Sequence, residues 1–97
     1  MGGEQTSIKE LPIDTRLIQL AEEAAELSQA AIKYVRVLRG ETPVTKEDAL
    51  QNLTEEVADV SVCMTSVNDL VRMSEVAEII VEKVKRWEDR ADAETIL

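Results

Sequence analysis

The sequence predicts an all-α fold, an antiparallel helical hairpin followed by a third helix. Three observations carry this expectation. Apolar residues recur at alternating steps of three and four in two long stretches and again in a shorter third one. Aromatic residues are limited to Tyr34 and Trp87, and Leu, Val, Ile and Ala supply the remaining apolar content, which suits interdigitated helices better than a sandwich of sheets. Only three glycines and two prolines punctuate the chain, so few breaks separate a few long elements. With 97 residues the chain has room for one small domain with a thin core.

Residues 1–13 read as a loose leader, because Pro12 and the mixed polar run before it carry no sustained period. Residues 14–97 then form a single all-α domain. Its first helix spans roughly Asp14 to Leu38, with Leu17, Leu20, Ala24, Leu27, Ala31, Tyr34 and Leu38 as its apolar seam. Gly40 stops it. After Thr42-Pro43, Thr45 is placed to cap a second helix, and Asp48 favours that helix start electrostatically. Leu50, Leu53, Val57, Val60, Met64, Val67 and Val71 repeat the three-four alternation up to about Arg72. Two matched seams joined by a short connection imply a hairpin. Ser74 is the expected cap of the third helix, whose apolar face is Val76, Ile79, Ile80, Val84 and Trp87.

The formal charge of −9, from 20 acidic and 11 basic residues, argues against nucleic acid or an anionic membrane as the primary partner and makes cations the natural guests. No stretch approaches the ~20 apolar residues of a membrane span, and Met1-Gly2-Gly3-Glu4-Gln5 lacks a signal-peptide core, so a cytoplasmic location is expected. There is no histidine, and Cys63 is the single cysteine, which excludes a His/Cys zinc site and leaves oxygen as the ligand for any metal.

Acidic pairs recur at matching places. With Ala24 and Leu27 at heptad positions a and d, Glu23 and Glu26 fall at g and c; with Val57 and Val60 at a and d, so do Glu56 and Asp59. In an antiparallel hairpin these flanks share one edge, and the spacing about the connection puts the two pairs at similar levels. Four residues after Glu22, Glu23, Glu26, Glu55 and Glu56 there is never a Lys or Arg, so the local sequence does not relieve the repulsion. Converging carboxylates of this kind call for a cation, and an all-oxygen set shared with substrate phosphates suits Mg²⁺, with Mn²⁺ as substitute, better than Ca²⁺. Two plainer readings stand beside this one: solvated surface acids, since ExxE and ExxD are short patterns, and a purely structural divalent-ion site.

The string Leu20-Ala21-Glu22-Glu23-Ala24-Ala25-Glu26-Leu27, followed by Glu55-Glu56-Val57-Ala58-Asp59-Val60, resembles the EExxE and ExxD motifs of MazG-like nucleoside triphosphate pyrophosphohydrolases, including small phage and mobile-element forms. The resemblance covers roughly Leu17 to Arg90, and Lys83-Val84-Lys85-Arg86-Trp87-Glu88-Asp89-Arg90 is similar to the KxxR-containing final helix of the small forms. It implies Glu23, Glu26, Glu56 and Asp59 as magnesium ligands and Glu22 as an accessory acid. It also implies hydrolysis of a ribo- or deoxynucleoside triphosphate to the monophosphate and pyrophosphate, a housecleaning activity on the nucleotide pool. Glu22, one turn from Glu26, is the candidate general base, with an outer-face acid as the alternative. Lys83 and Arg86 are candidates for substrate phosphate, although Glu82 to Arg86 is also an ordinary helix pair. Asn68 is a candidate for base or sugar contact against the plainer reading of a surface amide. Lys33, Arg36 and Arg39 are assigned to the helix dipole, and Cys63 to the apolar interior.

Three helices with alanine-rich seams make a poor monomeric core, so a homodimer is the minimum expectation. The resemblance implies a dimer or dimer of dimers around a four-helix-bundle core. The rival from another class is an acidic helical interaction module without chemistry, which fits the seams equally well but has no reason to bring like charges together.

Overall fold

A computed structural model describes residues 7–96, and among them every regular element is helical. Residues 1–6 of the expected leader, and Leu97, lie outside the described residues. Ile8–Glu10 form one 3₁₀ turn, capped by Ser7, whose side chain accepts from the Lys9 amide, and this turn touches the first long helix. That helix, α1, runs Ile13–Leu38; α2 runs Lys46–Ser66; α3 runs Met73–Ile96. The chain divides after Val67 into two compact units, the α1/α2 hairpin and the segment carrying α3.

The local chemistry sets the helix ends. The Pro12 carbonyl accepts the Arg16 amide to begin α1. At its other end Gly40 takes a left-handed φ of 69°, with its own amide donating to the Val37 carbonyl and the Glu41 amide to the Arg36 carbonyl. These two bonds make a Schellman turn, which satisfies the last carbonyls of α1 and reverses the chain. Thr45 caps α2 as expected, its hydroxyl accepting from the Asp48 amide at 3.1 Å. The second helix stops at Ser66, short of Arg72, where Asn68 and Asp69 offer poor helix formers that favour turns. Since α3 starts at Met73, Ser74 is inside its first turn and not its cap.

The hairpin packs along a different line from the expected seam. On α1 the shielded stripe is Arg16, Leu20, Glu23, Leu27, Ala30, Tyr34 and Val37; on α2 it is Ala49, Leu53, Glu56, Val60 and Cys63, continued by Val67 just past the helix end. Leu20, Leu27, Tyr34, Leu53, Val60 and Val67 belong to both the expected and the observed lines. Within the helices the remaining positions move back by one residue, which leaves Leu17, Ala24, Ala31, Leu38, Leu50, Val57 and Met64 exposed, and Val71 lies beyond the end of α2. Both lines obey three-four spacing, because an amphipathic stripe is wider than one seam; the hairpin uses its near edge and leaves its far edge open. Ala30 and Ala49, at 2 % and 1 % exposure, are the most deeply buried residues, and no large side chain is fully buried among the described residues.

The open end of the hairpin is held by Arg16. Its guanidinium donates from Nε to the Leu11 carbonyl at 3.1 Å and from Nη1 to the Ser66 carbonyl at 2.7 Å, joining the segment before α1 to the end of α2. Ser66 in turn donates its hydroxyl to the Cys63 carbonyl at 2.6 Å. A buried guanidinium is stable only with such acceptors; the Leu11 and Ser66 carbonyls supply them, the second at the negative end of the α2 dipole. Replacing Arg16 with Met keeps the stem and removes the donors, so we expect a loss of about 2–3 kcal/mol in urea unfolding, with Arg16→Lys recovering only part of it.

Candidate metal centre

Because the packing stripe passes through positions 23 and 56, Glu23 and Glu56 sit in the seam between α1 and α2 and are half-buried. Glu26 and Asp59, three residues further along each helix, are exposed at the rim of the same side. One carboxylate oxygen from each of Glu23, Glu56 and Asp59 lies within 4.8 Å of the others. The Oε2 atoms of Glu23 and Glu56 are shut off from solvent and receive no hydrogen bond. Unsatisfied acceptors of this kind are uncommon in folded proteins and call for a donor or a cation.

The electrostatics agree with the geometry. Desolvation raises the Glu23 carboxyl above the ordinary glutamate value, and the charges of Glu26, Asp59 and Glu56 raise it further. Desolvation likewise raises Glu56, followed by the charges of Glu26 and Asp59, with Glu55 as a smaller contributor. Glu26 lies close enough to both carboxyls to raise each of them, by its charge and by side-chain contact. Thus Glu26 is electrostatically part of the cluster although its oxygens lie outside the tightest triad. Glu55 is turned aside, its carboxylate accepting from the Gln51 amide at 3.0 Å.

Two hollows flank the cluster on this face. The smaller, about 330 Å³, is lined by Gln19, Glu22, Glu23, Asp59, Val62 and Cys63. Glu22 is exposed there, beside two members of the triad. The larger, about 760 Å³, has Glu26, Glu56, Gln29, Asn52, Lys33 and Arg36 among its lining residues. Burial, together with the Glu23 and Asp59 charges, pushes the Cys63 thiol up, which keeps it protonated and a poor nucleophile. The hydroxyls of Ser28, Thr54, Ser61 and Thr65 donate to carbonyls four residues earlier and serve their own helices.

Of the other residues singled out by the sequence, Asn68 is half-buried while Lys83 and Arg86 are exposed on α3, and all three belong to the second unit. Gln19, Gln29, Lys33, Arg36 and Asn52 were not assigned to the site by sequence reasoning. A signal for two of them existed: Lys33 follows Glu26 by two helical turns and Asn52 precedes Glu56 by one, each on the same side of its helix. No protein-family model, curated protein or solved structure matches the chain, so the case for this site rests on its geometry and chemistry.

A raised carboxyl pKa means that the folded chain holds these protons more tightly than the unfolded chain. Stability of the metal-free protein therefore falls as the pH rises past the ordinary glutamate range. A divalent cation competes with the same protons, so its stabilising effect grows over the same interval. Thermal melts with chelator or with Mg²⁺ should show this divergence between about pH 5 and about pH 8. Glu56→Gln should raise the metal-free melting temperature near neutral pH and abolish the magnesium increment.

Proposed function

We propose that this chain is a magnesium-dependent nucleoside triphosphate pyrophosphohydrolase. The observation that carries the reading is the convergence of Glu23, Glu56 and Asp59, with two solvent-shielded, unbonded carboxylate oxygens, at the border of an open groove. Opposite ligands of a magnesium ion with bonds of ~2.1 Å stand about 4.2 Å apart, so oxygens already within 4.8 Å need only side-chain adjustment to bind one. Glu23, Glu56 and Asp59 would hold the ion, with Glu26 completing the set from the rim; Mn²⁺ would be accepted by the same hard oxygens. When bound, the ion would neutralise triphosphate charge and make a nearby water more acidic.

The chain's own groups account for the remaining steps. Glu22, exposed in the smaller hollow, is the group to accept a proton from the attacking water. The water oxygen bonds to the α-phosphorus as the bond from that phosphorus to the bridging oxygen breaks, leaving the monophosphate and pyrophosphate. Housecleaning of the nucleotide pool is the role this reaction suggests, and the resemblance of the Glu22–Glu26 and Glu56–Asp59 motifs to those of MazG-like enzymes supports it.

The far face of the hairpin supports a homodimer as part of the same reading. Leu17, Leu50, Val57 and Met64 remain 41–56 % exposed there, opposite the acidic edge. A second copy packed on this face would bury them and complete a four-helix core. A dimer of dimers would cover the apolar side of α3, where Ile79, Ile80, Val84 and Trp87 are also exposed. The same apolar surfaces would serve an acidic interaction module, but such a module leaves the carboxylates in the packing stripe without a purpose. A cytoplasmic setting suits a nucleotide-pool enzyme, and no described helix is long and apolar enough to cross a membrane.

Pyrophosphate release from a panel of ribo- and deoxynucleoside triphosphates tests the proposal. We expect turnover only with Mg²⁺ or Mn²⁺, its loss in Glu56→Gln, and a fall of about 10²-fold or more in Glu22→Gln with magnesium stabilisation retained. Absence of turnover on every nucleotide, with an intact helical fold and no stabilisation by Mg²⁺, would favour the interaction module.

A further inference from the structure

The groove beside Glu26 and Glu56 also carries cations. Lys33 and Arg36 line it together with Gln29 and Asn52, so positive groups and amide donors share one concavity with two members of the acidic cluster. Lys33 lies seven residues, a rise of about 10 Å, beyond Glu26 on α1. The groove therefore changes in charge along α1, from carboxylates to cations.

Side-chain pairing along the helix does not explain these two cations. The residues three and four positions from Lys33 are Gln29, Ala30, Arg36 and Val37; those around Arg36 are Ile32, Lys33, Arg39 and Gly40. Neither residue has an acidic neighbour at helix spacing, and they are like-charged neighbours of each other. Among the described residues neither makes an ion pair or a side-chain hydrogen bond, whereas Arg72 does find Glu75 at 3.6 Å. The helix dipole favours a cation in the last turn, which accounts for Arg36 and Arg39, but it fades before Lys33. On α3, by contrast, Glu82 stands four residues before Arg86. In a chain of net charge −9, two unpaired cations facing a groove beside a carboxylate cluster form a local site for a polyanion that bridges both.

We infer that Lys33 and Arg36 hold the phosphates distal to the carboxylate cluster, the part of a triphosphate that leaves as pyrophosphate. Gln29 and Asn52 supply further donors to the same phosphate chain. This inference rests on the pyrophosphohydrolase reading and specifies it: the tail lies along α1 toward the hairpin turn, held by residues of the hairpin itself. Arg36 presents a planar fork suited to paired phosphate oxygens, and Lys33 a compact charge nearer the acidic cluster.

Tripolyphosphate in the presence of Mg²⁺ is the probe, because its binding needs no turnover. Calorimetric titration of the full chain should show binding, weakened about tenfold or more in the double variant Lys33→Gln/Arg36→Gln and retained in the swap Lys33→Arg/Arg36→Lys. Both residues are exposed, so circular dichroism and melting temperature should remain close to wild type. Equal binding by wild type and the Gln double variant overturns the inference. So does weakening that follows Lys83→Gln/Arg86→Gln instead, or absence of tripolyphosphate binding by the wild type. Binding through Lys33 and Arg36 without pyrophosphate release from any nucleotide sinks the hydrolase reading alone. Nucleotide turnover with an unchanged KM in Lys33→Gln/Arg36→Gln sinks only the assignment of these two cations.

Discussion

Two glutamates lie in the stripe along which the hairpin packs, and the arrangement of the α1/α2 unit follows from that. Glu23 and Glu56 occupy positions that Leu or Ala would fill in an ordinary helical pair. Each brings a desolvated carboxyl against like charge, so this part of the seam opposes folding when both are ionised. Packing above and below them must compensate. It does so through Leu20 and Leu27 on α1, Leu53 and Val60 on α2, the small buried pair Ala30 and Ala49, and the Arg16 bonds at the open end.

The two ends of the hairpin hold the cluster in register by different means. At the closed end, the Schellman turn at Gly40 and the Thr45 cap satisfy the backbone without drawing on the site's side chains. At the open end, Arg16 donates to two carbonyls, one before α1 and one at the end of α2.

The hairpin has two unlike faces. On one, carboxylates, amides and the two unpaired cations flank open hollows; on the other, apolar side chains of both helices stand exposed. Under the proposed function, this separation would give chemistry and assembly different surfaces, and a partner helix on the apolar side would leave the acidic side accessible. It also explains why so small a chain carries so much exposed Leu, Val and Met, with no large side chain completely buried among the described residues.

The all-helical class, α1 almost to the residue and the Thr45 cap were legible in the sequence, because periodicity and capping are local properties. The recurrence of Glu23/Glu26 in Glu56/Asp59 was legible for the same reason. Which edge of a broad apolar stripe packs was not: Leu17 and Arg16 differ by one position, and only the second helix decides which of them is covered. That one-residue shift moved Glu23 and Glu56 from the flank into the seam. Nor did spacing along α1 alone bring Lys33 and Arg36 into view beside Glu56 and Asn52 of α2, since a groove between helices is defined by both of its walls. The sequence by itself determined the helices and the type of chemical group on each turn. The tertiary structure decided which charges are desolvated together, because desolvation and Coulomb repulsion depend on distances across the seam.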